Sequence, residues 1–424
     1  MISAIGALVG LVVAIALIIR RVPAAYSLMA GALAGGLVGD MGLVGSVAAM
    51  TDGVRDVTPA ILRILSAGVL SGVLIKTGAS ETISLTIIRR LGRDNVYLAL
   101  ALAVMLLTAV GVFVDVAVIT VAPVALSVSR RFGIAPVKLL LMMIGGGKCG
   151  NIVSPNPNTI IAAENFNAPL SSVMAAGIIP ALIGLMFTVV VVRRVFPEKN
   201  AATLTGEGND FVDEEFDSGT MPSFGASVFG PVVAILLLAL RPLAGIAIDP
   251  LVALPVGGLA GVIAMKKMRS LLECCDYGLS KMIPVAVLLV GTGTIAGIIK
   301  ASEVNGLLVE ALPGSAMGET LLAPLSGIIM SAATASTTAG ATIASASFAP
   351  AILAAGISGI WGAAMTNAGA TVADHLPHGS FFHATGGAMN VAFRERMKLI
   401  PYESAIGIIL AVSSVLTYEL FKLI

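Results

Sequence analysis

The run from Gly145 to Thr159, GGGKCGNIVSPNPNT, limits what this chain can fold into more than any other. It lies between two apolar runs, residues 137–144 and 160–163, yet it concentrates glycines, two prolines and flanking asparagines, the features a helix avoids. In a soluble protein such a run is a surface loop, but the chain is 57% hydrophobic and only 12% charged, against about 25% charged in a soluble domain. These proportions define a polytopic all-α membrane protein. Non-helical backbone at membrane depth survives only where protein or a water-filled cavity satisfies its polar groups. The run therefore reads as the break in one discontinuous helix, 137–165, with Lys148 inside the break.

A crossing of ~30 Å takes roughly 20 apolar residues, and runs 2–19, 23–40, 57–76 and 172–195 meet or approach that length. The first has no basic leading segment and no small-residue cleavage pattern before Arg20-Arg21, so it reads as a span, not a signal peptide. Residues 97–129 are interrupted at Gly111 to Asp115 and read as a re-entrant hairpin with Asp115 at its tip. Its second arm, Val116 to Val128, is too short to cross. Residues 80–92 and 302–312 read as short interfacial helices, which Ser80-Glu81 and Ser302-Glu303 suit as starts. The three cysteines give no disulfide framework.

The second half repeats this plan. A shift of 225 residues pairs Gly53, Pro59, Gly68 and Gly72 with Gly278, Pro284, Gly293 and Gly297. A shift of 222 pairs Ala79-Ser80-Glu81 with Ala301-Ser302-Glu303, Gly147 with Gly369 and Pro155 with Pro377. Earlier, Gly31, Leu33, Ala34 and Gly35 match Gly257, Leu259, Ala260 and Gly261. The domain plan is a first repeat over 1–196 (hairpin 97–129, broken helix 137–165) and a second over 227–424 (hairpin 319–350, broken helix 357–390). Each repeat has about five spans, one hairpin and one broken helix.

With the N-terminus outside, the pairs Arg20-Arg21, Arg89-Arg90, Arg130-Arg131, Arg193-Arg194 and Lys266-Lys267 all fall on the cytoplasmic side. An odd number of spans per half then inverts the second repeat and leaves both termini outside. Residues 197–226, with Glu207, Asp210, Asp213, Glu214, Glu215 and Asp217, read as an acidic cytoplasmic linker.

The mate of the opening run is 366–380, and Thr337 stands opposite Asp115 in the mate of the first hairpin tip. Four interruptions should meet near the midplane, with half-helices starting near Asn158-Thr159 and Ser380 pointing positive dipole ends at one place. That arrangement favours an anion. Lys148 adds a positive charge, and Asn156, Asn158, Ser336, Thr337, Thr338 and Asn367 offer amides and hydroxyls to a hydroxylated ligand. Ionisable groups inside a membrane mark function, which singles out Asp115, Lys148 and Asp374. The structural alternatives are an internal Asp115–Lys148 ion pair, helix capping by Asn156 and Asn158, and packing by the Ser/Thr tip. Arg63, about a turn inside its span, reads as snorkelling outward.

All three histidines, His375, His378 and His383, fall within nine residues beside Asp374. Their spacing admits three readings: proton or substrate handling, structural hydrogen bonding, and a metal site in a membrane enzyme. No further His, paired Cys or Glu-x-x-His element completes a catalytic metal set.

GGGKCGNIVSPNPNTI (145–160), DHLPHGSFFHATGG (374–387) and FVDVAVITVAPVAL (113–126) together resemble the gluconate permease family of proton symporters, over essentially the whole chain. The resemblance implies hairpin tips and broken helices forming the substrate site of a mobile unit set against a dimeric scaffold, hence a homodimer in the inner membrane. It also implies import of a small hydroxylated monocarboxylate such as gluconate, a related sugar acid, glycerate or D-serine. No enzyme activity and no cofactor are expected, the proton being the coupling ion; the partners are the organic anion and membrane lipid, not nucleic acid. On this reading Lys148, Asn156, Asn158, Ser336, Thr337, Thr338 and Asn367 bind substrate, and Asp115, Asp374 and His375 carry the proton. A sodium-coupled carrier of the same fold, a passive channel and a metalloenzyme using the histidine cluster are the alternatives.

Overall fold

The structure, a computed structural model, describes residues 3–91, 95–195, 221–303, 316–377 and 379–423. These residues are helical apart from short connections. Among the described residues five stretches are long and apolar enough to cross a membrane: Gly42–Lys76, Leu170–Arg194, Met268–Lys300, Thr337–Ala354 and Phe393–Lys422. Six shorter apolar helices accompany them.

Two long helices form the spine. Helix α3 (Gly42–Lys76) and helix α13 (Leu271–Lys300) run antiparallel, and small residues let their backbones touch. A Cβ on Gly278 would stand 1.9 Å from the Gly68 carbonyl oxygen, and one on Gly53 would stand 2.1 Å from that of Gly293. Apolar bulk gains little between helices already in lipid, so close backbone packing of this kind holds such pairs together. Two helix pairs flank the spine. Helices α1 (Ala4–Ile19) and α2 (Ala24–Val38) meet where Gly31 abuts Gly10 and Ala14; helices α11 (Phe224–Ala244) and α12 (Pro250–Ala264) meet where Gly257 abuts Gly230 and Ala234.

The remaining elements pack beside this frame. Helix α4 (Ala79–Leu91) leads into a hairpin of α5 (Val96–Ala109) and α6 (Val114–Phe132), which turns at Gly111 with φ +105°. Helices α7 (Pro136–Asn151) and α8 (Pro157–Asn165) form one interrupted rod, followed by α9 (Leu170–Ala176) and α10 (Ile178–Val195). In the second half, α14 (Ala316–Thr334) and α15 (Thr337–Ala354) form a hairpin, and α16 (Gly359–Ala370) and α17 (Ser380–Ala388) a second interrupted rod. Helices α18 (Phe393–Met397) and α19 (Ile400–Leu423) close the chain.

Four local expectations are corrected. Helix α7 runs straight through Gly145, Gly146 and Gly147 and ends only at Asn151. The glycines serve packing and not chain-breaking: a Cβ on Gly146 would stand 2.1 Å from the Ala101 carbonyl oxygen, and one on Gly150 2.1 Å from that of Met105. The break is confined to 152–156, so Lys148 is a helical residue. The second arm of the first hairpin, α6, is 19 residues long and continues beyond Val128 to Phe132. Helix α11 begins at Phe224, inside the expected linker, whose residues 197–220 lie outside the described residues, as does the helix expected over 302–312 beyond Glu303. Arg63 is not a lone cation: it donates to both carboxylate oxygens of Asp249, at 2.8 to 3.2 Å, and also to Glu164.

Candidate substrate site

A cavity of about 420 Å³ lies where the interrupted elements meet the spine. Its walls are Phe113 to Val116 at one hairpin tip, Ala335 to Thr338 at the other, Asn151, Asn158 and Asp374 beside the two breaks, Ser380 and Phe381, and Lys281, Pro284, Val285 and Leu288 of α13. Four helices, α6, α8, α15 and α17, begin at this cavity. Each start carries unpaired N–H groups and the positive end of a helix dipole. Ser336 caps α15, its Oγ accepting from Ala339 N–H at 3.2 Å, and Asn156 caps α8, its Oδ1 accepting from Thr159 N–H at 3.1 Å. The starts of α6 and α17 have no capping side chain from Phe113 or Gly379. Asp115 instead lies in the first turn of α6, where its Oδ1 accepts from Val116 N–H at 2.9 Å. The site is thus built for negative charge, and one carboxylate already occupies part of it.

A second cavity, about 330 Å³, surrounds Arg63, Glu164 and Asp249. Its charged groups are paired with one another, and neither hairpin tip reaches it.

Behind the first cavity lies a buried charge network. Lys148, 1% exposed, donates to Asp374 Oδ1 at 2.6 Å and to the Thr371 carbonyl, and stands 3.1 Å from His375 Nδ1. His375 Nδ1 lies 3.1 Å from Asp374 Oδ1 as well as from Lys148 Nζ, and Nε2 lies 3.1 Å from the Ile400 carbonyl and from Ser404 Oγ, so each ring nitrogen faces one group that can only accept. Lys148 Nζ thus has three polar neighbours, the Asp374 carboxylate, the Thr371 carbonyl and the His375 ring. Asp374 is held from the cavity side by Thr337, whose hydroxyl donates to Oδ2 at 2.5 Å. Beyond His375, Glu403 Oε2 stands 3.9 Å from Nδ1, and Glu403 pairs with Arg396, both fully buried.

The structure therefore divides the expected site residues. Asp115, Asn158, Ser336, Thr337, Thr338 and Asp374 line the cavity. Lys148, Asn156, Asn367 and His375 lie behind its walls, with Asn367 donating to Thr159 Oγ1 at 3.2 Å. Lys148 pairs with Asp374, not with Asp115. Two polar lining residues, Lys281 and Asn151, lie outside the set that the sequence singles out. Lys281 comes from the spine helix and stacks its ammonium 5.3 Å from the Tyr277 ring centre; its sequence signal is a lysine within a long apolar run, one turn before Pro284. Asn151 closes α7; its signal is a polar residue directly before the break. The histidines do not converge as described: His375 faces Lys148, whereas His383 Nε2 lies 2.8 Å from the Pro377 carbonyl and its ring stacks on Phe393. His378 lies outside the described residues, and among the described residues no three His, Cys, Asp or Glu side chains gather as a metal site.

The architecture resembles that of the Alcanivorax borkumensis YdaH transporter, with a TM-score of 0.65 at 15% identity, covering 91% of this chain and 90% of that one. Over 424 residues the chain is 53% identical to an uncharacterized transporter of Haemophilus influenzae, covering 99% of both. It is also 24% identical to a gluconate permease of Pseudomonas aeruginosa (82% of each chain) and 25% identical to the D-serine transporter DsdX of Escherichia coli (76% of each). The helices and their likenesses define a multi-pass membrane permease. More particularly, the chain belongs to the GntP family of permeases, whose sequence profile matches residues 2–424.

Proposed function

We propose that this permease imports a small hydroxylated monocarboxylate, gluconate or a related sugar acid, by proton symport across the cytoplasmic membrane. The observation that carries the reading is the convergence of four helix starts on one cavity that also holds Lys281, Asp115 and the Ser336 to Thr338 hydroxyls. Relatives named for gluconate and for D-serine transport add a common denominator, a carboxylate on a short carbon chain that also bears a hydroxyl. Lys281 and the uncapped starts of α6 and α17 hold the carboxylate. Lys148, held by its neighbours, orients Asp374 instead.

Protons enter at Asp115 and at the Asp374–His375 pair. With both ring nitrogens protonated, His375 donates from Nδ1 to Asp374 Oδ1, 3.1 Å away, and so competes with Lys148 for that oxygen. A loaded, neutralised site crosses the barrier between facing states more readily than a charged one. The halves 1–196 and 227–424, joined by 197–226, act as inverted repeats with both termini outside, in a homodimer. Supporting the repeat, the Gly31–Gly10–Ala14 seam recurs as Gly257–Gly230–Ala234, and the Gly53–Gly293 contact recurs as Gly278–Gly68.

Uptake of labelled gluconate, glycerate and D-serine into proteoliposomes tests the reading. Accumulation under an inward proton gradient, abolished by a protonophore and indifferent to sodium, is expected. Dependence on sodium at fixed pH supports the sodium-coupled alternative, and flux that never exceeds equilibrium supports a channel.

A further inference from the structure

Three asparagines beside the cavity form a hydrogen-bond chain whose directions are fixed from one end. The backbone N–H of Thr159 can only donate, so Asn156 receives it on Oδ1, at 3.1 Å, and presents Nδ2 on its other side. That Nδ2 donates to the carbonyl oxygen of Asn151 at 2.9 Å and to its Oδ1 at 2.6 Å. The same Oδ1 also accepts from Asn158 Nδ2 at 3.3 Å. Two polar atoms are left over: Nδ2 of Asn151, a donor, and Oδ1 of Asn158, an acceptor, both buried with no partner among the described residues. Asn151 is 3% exposed and Asn158 is 2% exposed, and both line the cavity.

A bare donor and a bare acceptor on two amides that are hydrogen-bonded to each other are together the complement of a hydroxyl, which both accepts and donates. Water meets the same description, but a buried pair left for a ligand to satisfy discriminates strongly against a ligand that lacks the matching group. The geometry points to the Asn151–Asn158 amide pair as the element that reads a substrate hydroxyl, making the permease selective for hydroxy acids over their deoxy counterparts. This rests on the reading of the cavity as the binding site of a hydroxylated monocarboxylate. Asn156 is the positioning residue: it touches no ligand but sets which face each amide presents. Lys281 and the uncapped starts of α6 and α17 take the charge and do not distinguish a hydroxy acid from a plain one; the amide pair does.

The test is calorimetric titration of the purified full-length protein with glycerate and with propionate, which share a three-carbon carboxylate and differ in hydroxyls, alongside gluconate and D-serine. Glycerate is expected to bind roughly 100-fold more tightly than propionate. In the Asn151→Leu/Asn158→Leu variant the ratio is expected to fall to within a few-fold, through weaker glycerate binding with propionate nearly unchanged. A purely structural role for the amides would weaken both ligands alike and keep the ratio. Because that variant can misfold, the wild-type protein is also titrated with gluconate and its monodeoxy derivatives, at least one of which should bind far more weakly. Equal binding of glycerate and propionate by the wild type, or an unchanged ratio in a folded variant, overturns the inference while leaving the carrier reading intact. Wild-type protein that binds none of glycerate, gluconate and D-serine overturns the carrier reading and this inference with it.

Discussion

Lys148 Nζ stands 2.6 Å from Asp374 Oδ1, joining the last turn of α7 to the break after α16 across the core of the molecule. The two side chains are 1% and 5% exposed, so each is the other's counter-charge in a place water does not reach. Removing one partner of such a pair strands a charge, at a cost of about 3–5 kcal/mol. Lys148→Ala is therefore expected to lower thermal stability in detergent as well as to abolish transport. The Lys148→Ala/Asp374→Ala double variant should recover part of the lost stability but none of the transport. Thermal unfolding paired with uptake measures both.

Asp115 has a different environment. It lines the cavity, its carboxylate accepts from Val116 N–H, and among the described residues it makes no ion pair. Asp115→Asn keeps size and shape while removing the titrating group. It should leave exchange of internal for external substrate near the wild-type rate and eliminate accumulation against a gradient. Normal accumulation in this variant removes Asp115 from the coupling path.

Lys281→Gln should raise the half-saturation concentration for gluconate by roughly 10- to 100-fold, the loss expected for one hydrogen bond to a charged group. Lys281→Arg should retain most of the affinity. A neutral amide analogue, competing weakly for uptake, should bind wild type and Lys281→Gln alike. At a shift of 225 residues the first half carries Asp56, paired with Lys300 at 2.8 Å on the exposed surface, so the cation at 281 belongs to one half only.

Gly278→Leu tests the spine. The new side chain would start 1.9 Å from the Gly68 carbonyl oxygen, and backbone cannot yield as a side-chain tip would. Separation of α3 from α13 should lower stability by at least about 1–3 kcal/mol, whereas Gly225→Leu, with open space around it, should be neutral. The comparison is made by thermal unfolding of the two variants.

Asp249, in the connection before α12, is held below the usual carboxylate value of 3.8 chiefly by its hydrogen bonds from Arg63. A depressed folded value means that its stabilisation is fully present above the ordinary value and fades as pH falls through the folded one. Its side chain is 43% exposed, so solvent screens the pair and the effect is small. The stability difference between wild type and Asp249→Asn should be constant at neutral pH and shrink below about pH 4.

The sequence makes the fold legible where chemistry is local. Pro155 and Pro157 cannot continue α7, and Asn156 between them is a natural helix cap, so the break announces itself. Gly145 to Gly147 misled for the same reason: glycine both ends helices and lets them touch, and only the approach of Ala101 shows which is meant. Ions inside apolar sequence were visible, but their partners were not. Lys148 finds Asp374 226 residues away and Arg63 finds Asp249 186 residues away, pairings that no local pattern carries. Lys281 and Asn151 escaped notice because their roles depend on which face of α13 and α7 meets the cavity, a fact of packing and not of composition. Glu403 and Arg396, buried together behind His375, were hidden among the terminal charges for the same reason.

The coupling of proton to anion is the central claim, and lumenal pH tests it most directly. Gluconate, glycerate or D-serine is added to proteoliposomes with no imposed gradient, while a trapped pH dye and labelled substrate are followed together. The account predicts that the lumen acidifies as labelled substrate enters, that the two initial rates keep a fixed ratio, and that Asp115→Asn abolishes the acidification. Substrate entry with unchanged lumenal pH, or entry that requires sodium, would contradict it.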